Sequence, residues 1–414
     1  MKPKKKKRKL RRVNKKAEDL FRAKIKVIGI GGGGGSIVSE IGRSLGKATF
    51  VIADTDIRAL KKRSGIKHFW FGSEFTHGLG TGVNPEVAKE AAEAERERIK
   101  DLFQDQDIVI FIASLGGGLG SGATQIFAQA AKSFGAITLG IFTLPFKFEG
   151  KNKQRIAQKA LKGLKDSLNV SITIPNEKIF KIINSDTSIT EAFSTVNKNL
   201  IESLESLIDL IYNPGLINID FADLRTILNG SGNFAFLNTV QASGKTRVDQ
   251  TVKKILINTL YQNNNFTAEN ILFNISGGTN LNMFEVEKIS RAIAELNPRA
   301  KIIFGISKNI QSKNKIKTTI LITGPGKNTK LRKETRLTQV RKVIKKVKTK
   351  IKKLPAKIPI LSKEKTAEPV NVRAKKTIRR NALDIKKAEA LEQNKRFSQE
   401  EEWEVPAFLR RVKS

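Results

Sequence analysis

The chain has no cysteine, and histidine, methionine and tryptophan occur only twice each among its 414 residues. The absence of cysteine excludes disulfide bonds and thiolate metal centres, and it is typical of a reducing compartment. Two histidines are too few for a His-rich metal site. No apolar run approaches the roughly 18 residues of a membrane span, and the charged N-terminus lacks the apolar core of a secretory signal. The sequence therefore predicts a soluble, intracellular protein.

Acidic residues are scarce in two flanking regions, which hold most of the formal net charge of +38. Residues 1–26 carry 14 Lys/Arg and two acids, and residues 327–380 carry 21 Lys/Arg and three acids. Between these flanks, residues 27–326 carry 35 Lys/Arg against 27 acids. An apolar content of 39% is enough to form the hydrophobic cores of folded domains. We expect a folded middle region with basic, disordered ends.

Two glycine clusters follow predicted strands. Residues 113–122, ASLGGGLGSG, come between the apolar run 107–113 and a helical pattern from about Ala123. Residues 31–35 are all glycine, between a predicted strand at 25–30 and a predicted helix from Ser36. Without Cβ atoms, such turns let backbone N–H groups approach an anion at a helix N-terminus. They indicate phosphate-binding loops, although a strand-to-helix turn without a ligand is the alternative. No Lys-Ser or Lys-Thr follows the cluster at 113–122, so this cluster is not a Walker loop.

The cluster at 31–35 is also part of a dinucleotide-binding pattern. Gly29, Gly31 and Gly34 match G-x-G-x-x-G, and Asp54 follows 20 residues later at the end of another apolar run. This pattern alone supports a dehydrogenase. Five consecutive glycines exceed what that turn needs, and a dehydrogenase leaves the second loop unexplained. Strands alternating with helices indicate a doubly wound parallel sheet, at whose carboxyl edge both loops and Glu149 would lie.

Residues 188–213 predict a long helix. Ser188 and Glu191 form a capping-box pattern at its start, and Pro214-Gly215 ends it. About 24 residues would span roughly 36 Å. An apolar stripe at three- and four-residue steps indicates packing against a core rather than a partner groove.

Three polar residues follow this helix in an otherwise apolar segment, namely Asn218, Asp220 and Asp223. One interpretation is that an aspartate caps the next helix. The other is a carboxylate pair that positions water or a metal ion. Both interpretations remain open from the local sequence.

The remaining patterns divide the rest of the chain. Predicted strands at 270–275, 301–306 and 316–323, with a helix at 283–296, indicate a smaller second domain. Residues 327–380 predict a disordered linker, with a membrane-lying basic helix as the alternative. The block 2–12 predicts a solubility tail or a polyanion-binding arm. The end of the chain, WEVPAFLRR, predicts a docking peptide.

Taken together, these stretches resemble the tubulin/FtsZ family of assembling GTPases. The resemblance is carried by IKVIGIGGGGG, GLGTGVNPE, SLGGGLGSG, PFKFEG, IPN, PGLINIDFADLRTI and the terminal VPAFLRR. It implies an α/β fold with a Rossmann-like doubly wound GTP-binding domain at 25–187 and a central helix at 188–213. A smaller α+β second domain at 214–326 would follow. Basic disordered segments at 1–24 and 327–395 and a docking peptide at 396–414 complete the expected organisation.

The resemblance also implies roles for individual residues. GTP or GDP with Mg²⁺ would be held, and filaments would form head-to-tail at the division site on the cytoplasmic face of the membrane. The catalytic residues would be Asn218, Asp220 and Asp223, reaching the nucleotide of the neighbouring subunit. Membrane-tethering division proteins would bind Val405, Pro406, Phe408, Leu409 and Arg410. The nucleotide-binding residues would be Gly31, Gly32, Gly33, Gly34, Gly35, Ser36, Asp54, Gly116, Gly117, Gly118, Leu119, Gly120, Ser121, Gly122, Glu149 (ribose), Lys153, Asn176 and Asn197 (guanine).

Some positions depart from the family pattern. Leu119 stands where the family has Thr, Lys153 replaces an Arg, and Asp54 replaces an Asn. Leu119 lacks the hydroxyl of threonine, and Lys153 has a compact ammonium group where arginine has a planar guanidinium. Asp54 adds a negative charge near the nucleotide. A scaffold that binds GTP and assembles but hydrolyses it poorly is therefore the alternative function. The basic flanks suggest weak contact with anionic lipid or nucleic acid as an accessory property.

Overall fold

The computed structural model describes residues 23–42, 48–59, 65–213, 215–256, 268–308 and 314–325. The predicted N-terminal tail, the linker, the docking peptide and Pro214 lie outside these ranges. Within them, no helix is long and apolar enough to cross a bilayer.

The first half of the fold alternates strands and helices. Its strands are β1 (Ile25–Ile30), β2 (Thr49–Asp54), β3 (Ile66–Trp70), β4 (Ile108–Ser114), β5 (Ile137–Leu144) and β6 (Val170–Pro175). Its helices are α1 (Gly31–Ile41), α2 (Ser73–Thr76), α3 (Pro85–Ala94), α4 (Arg96–Asp101), α5 (Gly118–Ser133) and α6 (Lys151–Leu164). The strands pair in parallel in the order 3-2-1-4-5-6. This is the doubly wound Rossmann order, so the predicted fold class is confirmed.

A long helix, α7 (Ile189–Tyr212), leads to the second half. The second half consists of α8 (Phe221–Leu228), β7 (Asn233–Ser243), α9 (Arg247–Leu256), β8 (Asn270–Gly277), α10 (Met283–Leu296), β9 (Lys301–Lys308) and β10 (Lys315–Gly324). Its strands follow the order 7-10-8-9, with β10 antiparallel to both of its neighbours. Two residue pairs between β6 and β7 join the halves into one ten-stranded sheet among the described residues. The predicted domain boundaries stay predictions.

The core forms on both faces of the first half's sheet. Alternate residues of β4 enter different clusters, with Ile110 and Ile112 on one face and Val109 and Phe111 on the other. Leu200, Leu204 and Leu207 of α7 join the first cluster. The strands are apolar on both sides because helices cover both faces. The stripe of α7 packs against the core, as predicted.

Both glycine-rich segments differ from the sequence prediction, because the helices begin earlier than expected. Helix α1 begins at Gly31 instead of Ser36, and α5 begins at Gly118 instead of Ala123. A Cβ at Gly34 would lie 2.2 Å from the Ile112 carbonyl oxygen, and one at Gly122 would lie 2.0 Å from that of Pro85. The glycines therefore let the first helical turns pack against neighbouring backbone, a use that helix propensity does not show.

Two further features were not predicted. Glu95 lies outside helical φ/ψ space and separates α3 from α4. Strand β7 was missed, although it alternates between the two sheet faces over most of its length. Its Asn, Thr and Gln residues weaken the apolar signal on which the sequence prediction relied.

Candidate functional site

The two glycine segments lie at the point where the strand order reverses. Strands β1 and β4 are neighbours, and the chain leaves them in opposite directions along the sheet, to β2 and to β5. Ligands of doubly wound sheets bind in the crevice that forms there, beyond the carboxyl ends of the strands. Each of these two strands is followed by one glycine segment.

The first segment opens α1. Gly31 has a φ of 73°, which favours glycine. A Cβ at Gly33 would lie 2.1 Å from Ser114 Oγ, so this segment packs closely on the end of β4. At Gly32 nothing lies within 4 Å of the Cβ position. The backbone at Gly32 thus faces open space, as an anion-binding loop requires.

The second segment opens α5. Gly116 has a φ of 105°, and its N–H donates to Ser121 Oγ at 2.9 Å. The N-cap of α5 is Gly117, which also has nothing within 4 Å of its Cβ position. Gly118 and Gly120 pack tightly, because Cβ atoms there would lie 2.3 Å from Thr81 Oγ1 and 2.4 Å from the Ser114 carbonyl oxygen. The Ser121 hydroxyl, which was expected near the phosphates, accepts a hydrogen bond from within the loop.

Leu119 belongs to the core. It is 7% exposed, and a Cβ at Gly31 would lie 3.5 Å from Leu119 Cβ. Its side chain packs in the cluster between the sheet and α3 to α6. The residue that replaces the family's Thr therefore joins the two glycine segments by apolar contact.

Glu149 and Lys153 contact each other beside this crevice. Glu149 Oε1 accepts from the Phe146 N–H at 2.8 Å, and Glu149 Oε2 accepts from Lys153 Nζ at 3.0 Å. The Phe146 ring stacks on Phe148 at 4.8 Å between centroids and lies 6.0 Å from Phe193 of α7. Sequence reasoning missed this aromatic group, whose one signal was the pair of Phe residues in PFKFEG.

The two asparagines lie on the elements that follow β6. Asn176 begins a short 3₁₀ helix, Asn176–Lys181, directly after β6. Asn197 Nδ2 donates to Glu40 Oε2 at 2.9 Å and so joins α7 to α1. No local pattern points to Glu40, because the two residues are 157 positions apart.

Asp54 lies beside the first glycine segment. Ile30 ends β1 in register with Ala53, so Asp54 is level with Gly31 at the start of α1. Asp54 is 5% exposed, and its Oδ1 accepts from the N–H groups of Thr55 at 2.8 Å and Asp56 at 3.0 Å. Burial raises the pKa of the Asp54 carboxyl, although these two backbone hydrogen bonds lower it.

Two of the three predicted catalytic residues, Asp220 and Asp223, form a capping box. Asp220 Oδ1 accepts from the Asp223 N–H at 2.7 Å, and Asp223 Oδ2 accepts from the Asp220 N–H at 3.1 Å. Asn218 Oδ1 accepts from the Gly215 N–H at 3.2 Å. The capping interpretation is confirmed, and each carboxylate uses only one oxygen in the box.

This group is far from the glycine segments within one chain. Helix α7 begins after β6, where the Ser188 hydroxyl caps it by accepting from the Glu191 N–H. It ends where the Tyr212 hydroxyl donates to the Ala23 carbonyl just before β1. After α8, the Gly232 N–H donates to the Leu168 carbonyl just before β6. The segment with the aspartates is thus anchored on both sides at the amino edge of the sheet, at the opposite end of the 24-residue helix α7 from the carboxyl edge.

Comparisons with known proteins show which family the chain belongs to. Residues 24–184 match the GTPase domain model of the Tubulin/FtsZ family, and residues 233–326 match the C-terminal domain model of the FtsZ family. The cell division protein FtsZ of Coxiella burnetii is 36% identical over 307 residues, which cover 73% of this chain and 79% of that protein.

Solved structures show the same fold. An FtsZ dimer from M. jannaschii has 29% identity and a TM-score of 0.68, covering 80% of this chain and 99% of that one. CetZ2 from Haloferax volcanii, solved as a protofilament, has 18% identity and a TM-score of 0.65, covering 78% of this chain and 99% of that one. With two family models over most of the described residues and a relative of this identity, the chain belongs to the FtsZ family of tubulin-like GTPases.

Proposed function

We propose that this GTPase hydrolyses GTP only where two subunits meet head-to-tail, with the pocket from one subunit and the aspartates from the next. As a family member, the chain binds GTP and GDP and acts in cell division, and filament formation is characteristic of the family. The observation that supports the shared site is the position of Asp220 and Asp223. They lie at the opposite edge of the sheet from the glycine segments, so one chain does not bring both parts together.

The pocket would bind the nucleotide through the carboxyl-edge loops. The open backbone at Gly32 and Gly117 would receive the phosphates, where two helix N-termini add positive charge. Glu149 would bind the ribose, and Asn176 and Asn197 would contact the guanine. For these contacts, Glu149 and Asn197 would give up bonds to Lys153 and Glu40. Lys153 would then be free to approach a phosphate.

At the interface, the aspartates of the neighbouring subunit would orient the attacking water. The capping box leaves one oxygen of each carboxylate outside the box, and Asp220 is exposed at the start of α8. A carboxylate oxygen can accept a hydrogen bond from water and so direct its lone pair to the terminal phosphate. Phosphoryl transfer needs mainly such positioning and neutralisation of charge.

Mg²⁺ fits the donors at the carboxyl edge. No cluster of three carboxylate or histidine ligands occurs among the described residues, so the ion would bind through nucleotide phosphates, water and few protein oxygens, as Mg²⁺ commonly does. The buried Thr55 hydroxyl, which has no hydrogen-bond partner in this part of the chain, and the Asp54 carboxylate are such oxygens. When bound, the ion would neutralise charge on the phosphates.

Exposed apolar side chains at both edges support contact between subunits. Phe148 and Ile189 are largely exposed at the carboxyl edge, and Leu216 is 75% exposed beside Asn218. Large apolar residues in such positions are typical of surfaces that another protein covers. Each of these residues is close to one half of the proposed shared site.

The substitution Asp220→Asn tests the assignment. Asparagine caps helices as well as aspartate does, so the variant should fold and bind GTP like the unaltered chain. It lacks the carboxylate charge, so phosphate release should fall at least about 100-fold at protein concentrations that give filaments. Asp249→Asn is the matched control, since Asp249 is an exposed carboxylate of α9 paired with Lys288. Unchanged turnover in Asp220→Asn would refute the catalytic role.

The poorly hydrolysing scaffold is kept as a second function because of Leu119 and Asp54. Leu119 provides no hydroxyl to the pocket, and Asp54 adds a buried carboxyl next to Gly31. Phosphate release measured against protein concentration separates the two functions. Release should rise steeply above the assembly concentration, whereas filaments without release would establish the scaffold.

We also propose that the terminal peptide binds membrane-tethering division proteins and so brings filaments to the inner face of the membrane. Val405, Pro406, Phe408, Leu409 and Arg410 would make the contact. A chain with Phe408→Ala and Leu409→Ala should still form filaments in solution but should lose its ring pattern in dividing cells. A retained ring would contradict this role.

The basic flanks would add weak contact with anionic lipid or nucleic acid. Because release of counterions drives such binding, its affinity should fall steeply between 50 and 200 mM salt. A chain lacking residues 1–23 and 327–380 should lose the salt-sensitive part of its binding to anionic vesicles and to duplex DNA. Equal binding by the shortened chain would contradict the proposal.

A further inference from the structure

Asp54 is the one carboxylate that is buried among the described residues, with 5% of its surface exposed. Its hydrogen bonds to the N–H groups of Thr55 and Asp56 use a single oxygen, Oδ1. The side-chain oxygen of asparagine could accept both bonds equally well. The turn after β2 therefore explains the shape of this side chain but not its charge.

The buried carboxylate has no cationic partner in the described part of the chain. The Asp56 carboxylate repels it and is itself paired with Arg58 at 3.0 Å. A buried charge is costly unless it is paired with an opposite charge or binds a metal ion. A ligand that carries positive charge would compensate this carboxylate.

The position of Asp54 indicates which ligand brings that charge. Asp54 ends β2 one residue beyond the pair of Ala53 with Ile30, so it is level with the start of α1, where the first glycine segment begins. The Thr55 hydroxyl next to it is buried and has no hydrogen-bond partner among the described residues. A carboxylate and a hydroxyl are oxygen donors of the kind that hard divalent cations prefer.

We propose that the Asp54 carboxylate is an acceptor for the divalent cation that accompanies the nucleotide phosphates, either directly or through a water molecule. The proposal rests on the proposed nucleotide pocket. It makes Asp54 a residue that couples nucleotide affinity to the cation. Without the cation, the carboxylate repels the phosphates, and with the cation, it helps to hold them.

Substituting Asp54→Asn tests this coupling, because asparagine keeps the acceptor for both backbone N–H groups. The dissociation constant of a non-hydrolysable GTP analogue is measured by calorimetry in EDTA and across a magnesium titration, below the assembly concentration. In EDTA the variant should bind the analogue several-fold more tightly than the unaltered chain. The magnesium concentration at half-effect should rise about tenfold in the variant, as expected for losing one nearby charge. The thermal unfolding midpoint confirms that both chains are folded.

Asp56→Asn is the matched control, because it removes an equal charge only two residues away. The Asp56 side chain is 26% exposed and is paired with Arg58. It should change the magnesium midpoint less than twofold. An unchanged midpoint in Asp54→Asn, or an equal shift in both variants, would overturn the proposal. Failure of the unaltered chain to bind the analogue at any magnesium concentration would instead overturn the nucleotide pocket itself.

Discussion

Leu119 joins the two glycine segments, because its side chain is buried against Gly31 in the core. Substituting Leu119→Thr shortens the side chain and buries a hydroxyl, so we expect the free energy of unfolding to fall by about 1–3 kcal/mol. Urea unfolding measures this change. Leu216→Thr is the control, since Leu216 is 75% exposed. Equal stability of both variants would show that Leu119 is not packed as described.

Gly117 and Gly118 are adjacent but have opposite surroundings. A valine at 117 would meet no atom within 4 Å of its Cβ, and the φ of −89° there suits any residue. We expect Gly117→Val to fold normally and to lose GDP binding, because its side chain fills the space expected for phosphate. A Cβ at Gly118 would lie 2.3 Å from Thr81 Oγ1, so Gly118→Val should lower stability by about 1–3 kcal/mol.

Thermal unfolding and GDP titration distinguish these two variants. Normal GDP binding by Gly117→Val would place the phosphates elsewhere than at this loop.

Two helices of the second half, α9 and α10, are joined by an ion pair between the buried Arg247 and the largely covered Glu285. Arg247 Nη2 donates to Glu285 Oε2 at 2.7 Å, and Arg247 Nε donates to Glu285 Oε1 at 2.7 Å. The Arg247 hydrogen bond lowers the pKa of the Glu285 carboxyl below its usual 4.5. The folded pKa is thus below the unfolded one. The stability from this pair is present above about pH 4.5 and is lost as the pH falls through the folded pKa.

Substituting Glu285→Gln tests the pair. At pH 7 the variant should be less stable by about 3 kcal/mol, because the Arg247 charge stays buried without its partner. The difference between the two chains should shrink below pH 4.5, as the unaltered carboxyl becomes protonated. Glu287→Gln is the control on the same helix, since its pair with Arg291 is exposed and should contribute less than about 1 kcal/mol. A difference that is constant down to pH 3 would contradict the assigned pKa shift.

The elements also show what the sequence could predict. Strands β1 and β4 and helices α7 and α10 have strong apolar periodicity, and they were predicted within about one residue of their observed bounds. The predicted starts of α1 and α5 were wrong. Close packing of Gly34 and Gly122 against the backbone of neighbouring segments outweighs the low helix propensity of glycine. Local patterns do not encode such contacts between distant segments.

Some features of the candidate site could likewise be predicted from the sequence, and others could not. The loops, Glu149 and the two aspartates carry their own sequence signals, so they could be predicted. The bond between Asn197 and Glu40, the aromatic group around Phe146 and the packing of Leu119 on Gly31 depend on the assembled sheet. The capping box of Asp220 and Asp223 was open as one of two interpretations, and its geometry now shows how capping and an available oxygen coexist.

For the whole molecule, the central claim is that the pocket and the aspartates act between subunits. Helix α7, about 36 Å long, runs from the carboxyl edge of the sheet to its amino edge, and each edge has exposed apolar side chains. A subunit with a damaged pocket would still present intact aspartates, and a subunit without Asp220 would still bind GTP. The two defects should therefore complement each other in a mixture.

Phosphate release from an equimolar mixture of Gly117→Val and Asp220→Asn chains tests this claim most directly. Each variant alone should release almost no phosphate. The mixture should hydrolyse GTP, because the GTP-loaded edge of an Asp220→Asn subunit meets the intact aspartates of a Gly117→Val subunit. The rate should grow with the product of the two concentrations. A mixture as inactive as its components, with association confirmed by sedimentation, would contradict catalysis between subunits.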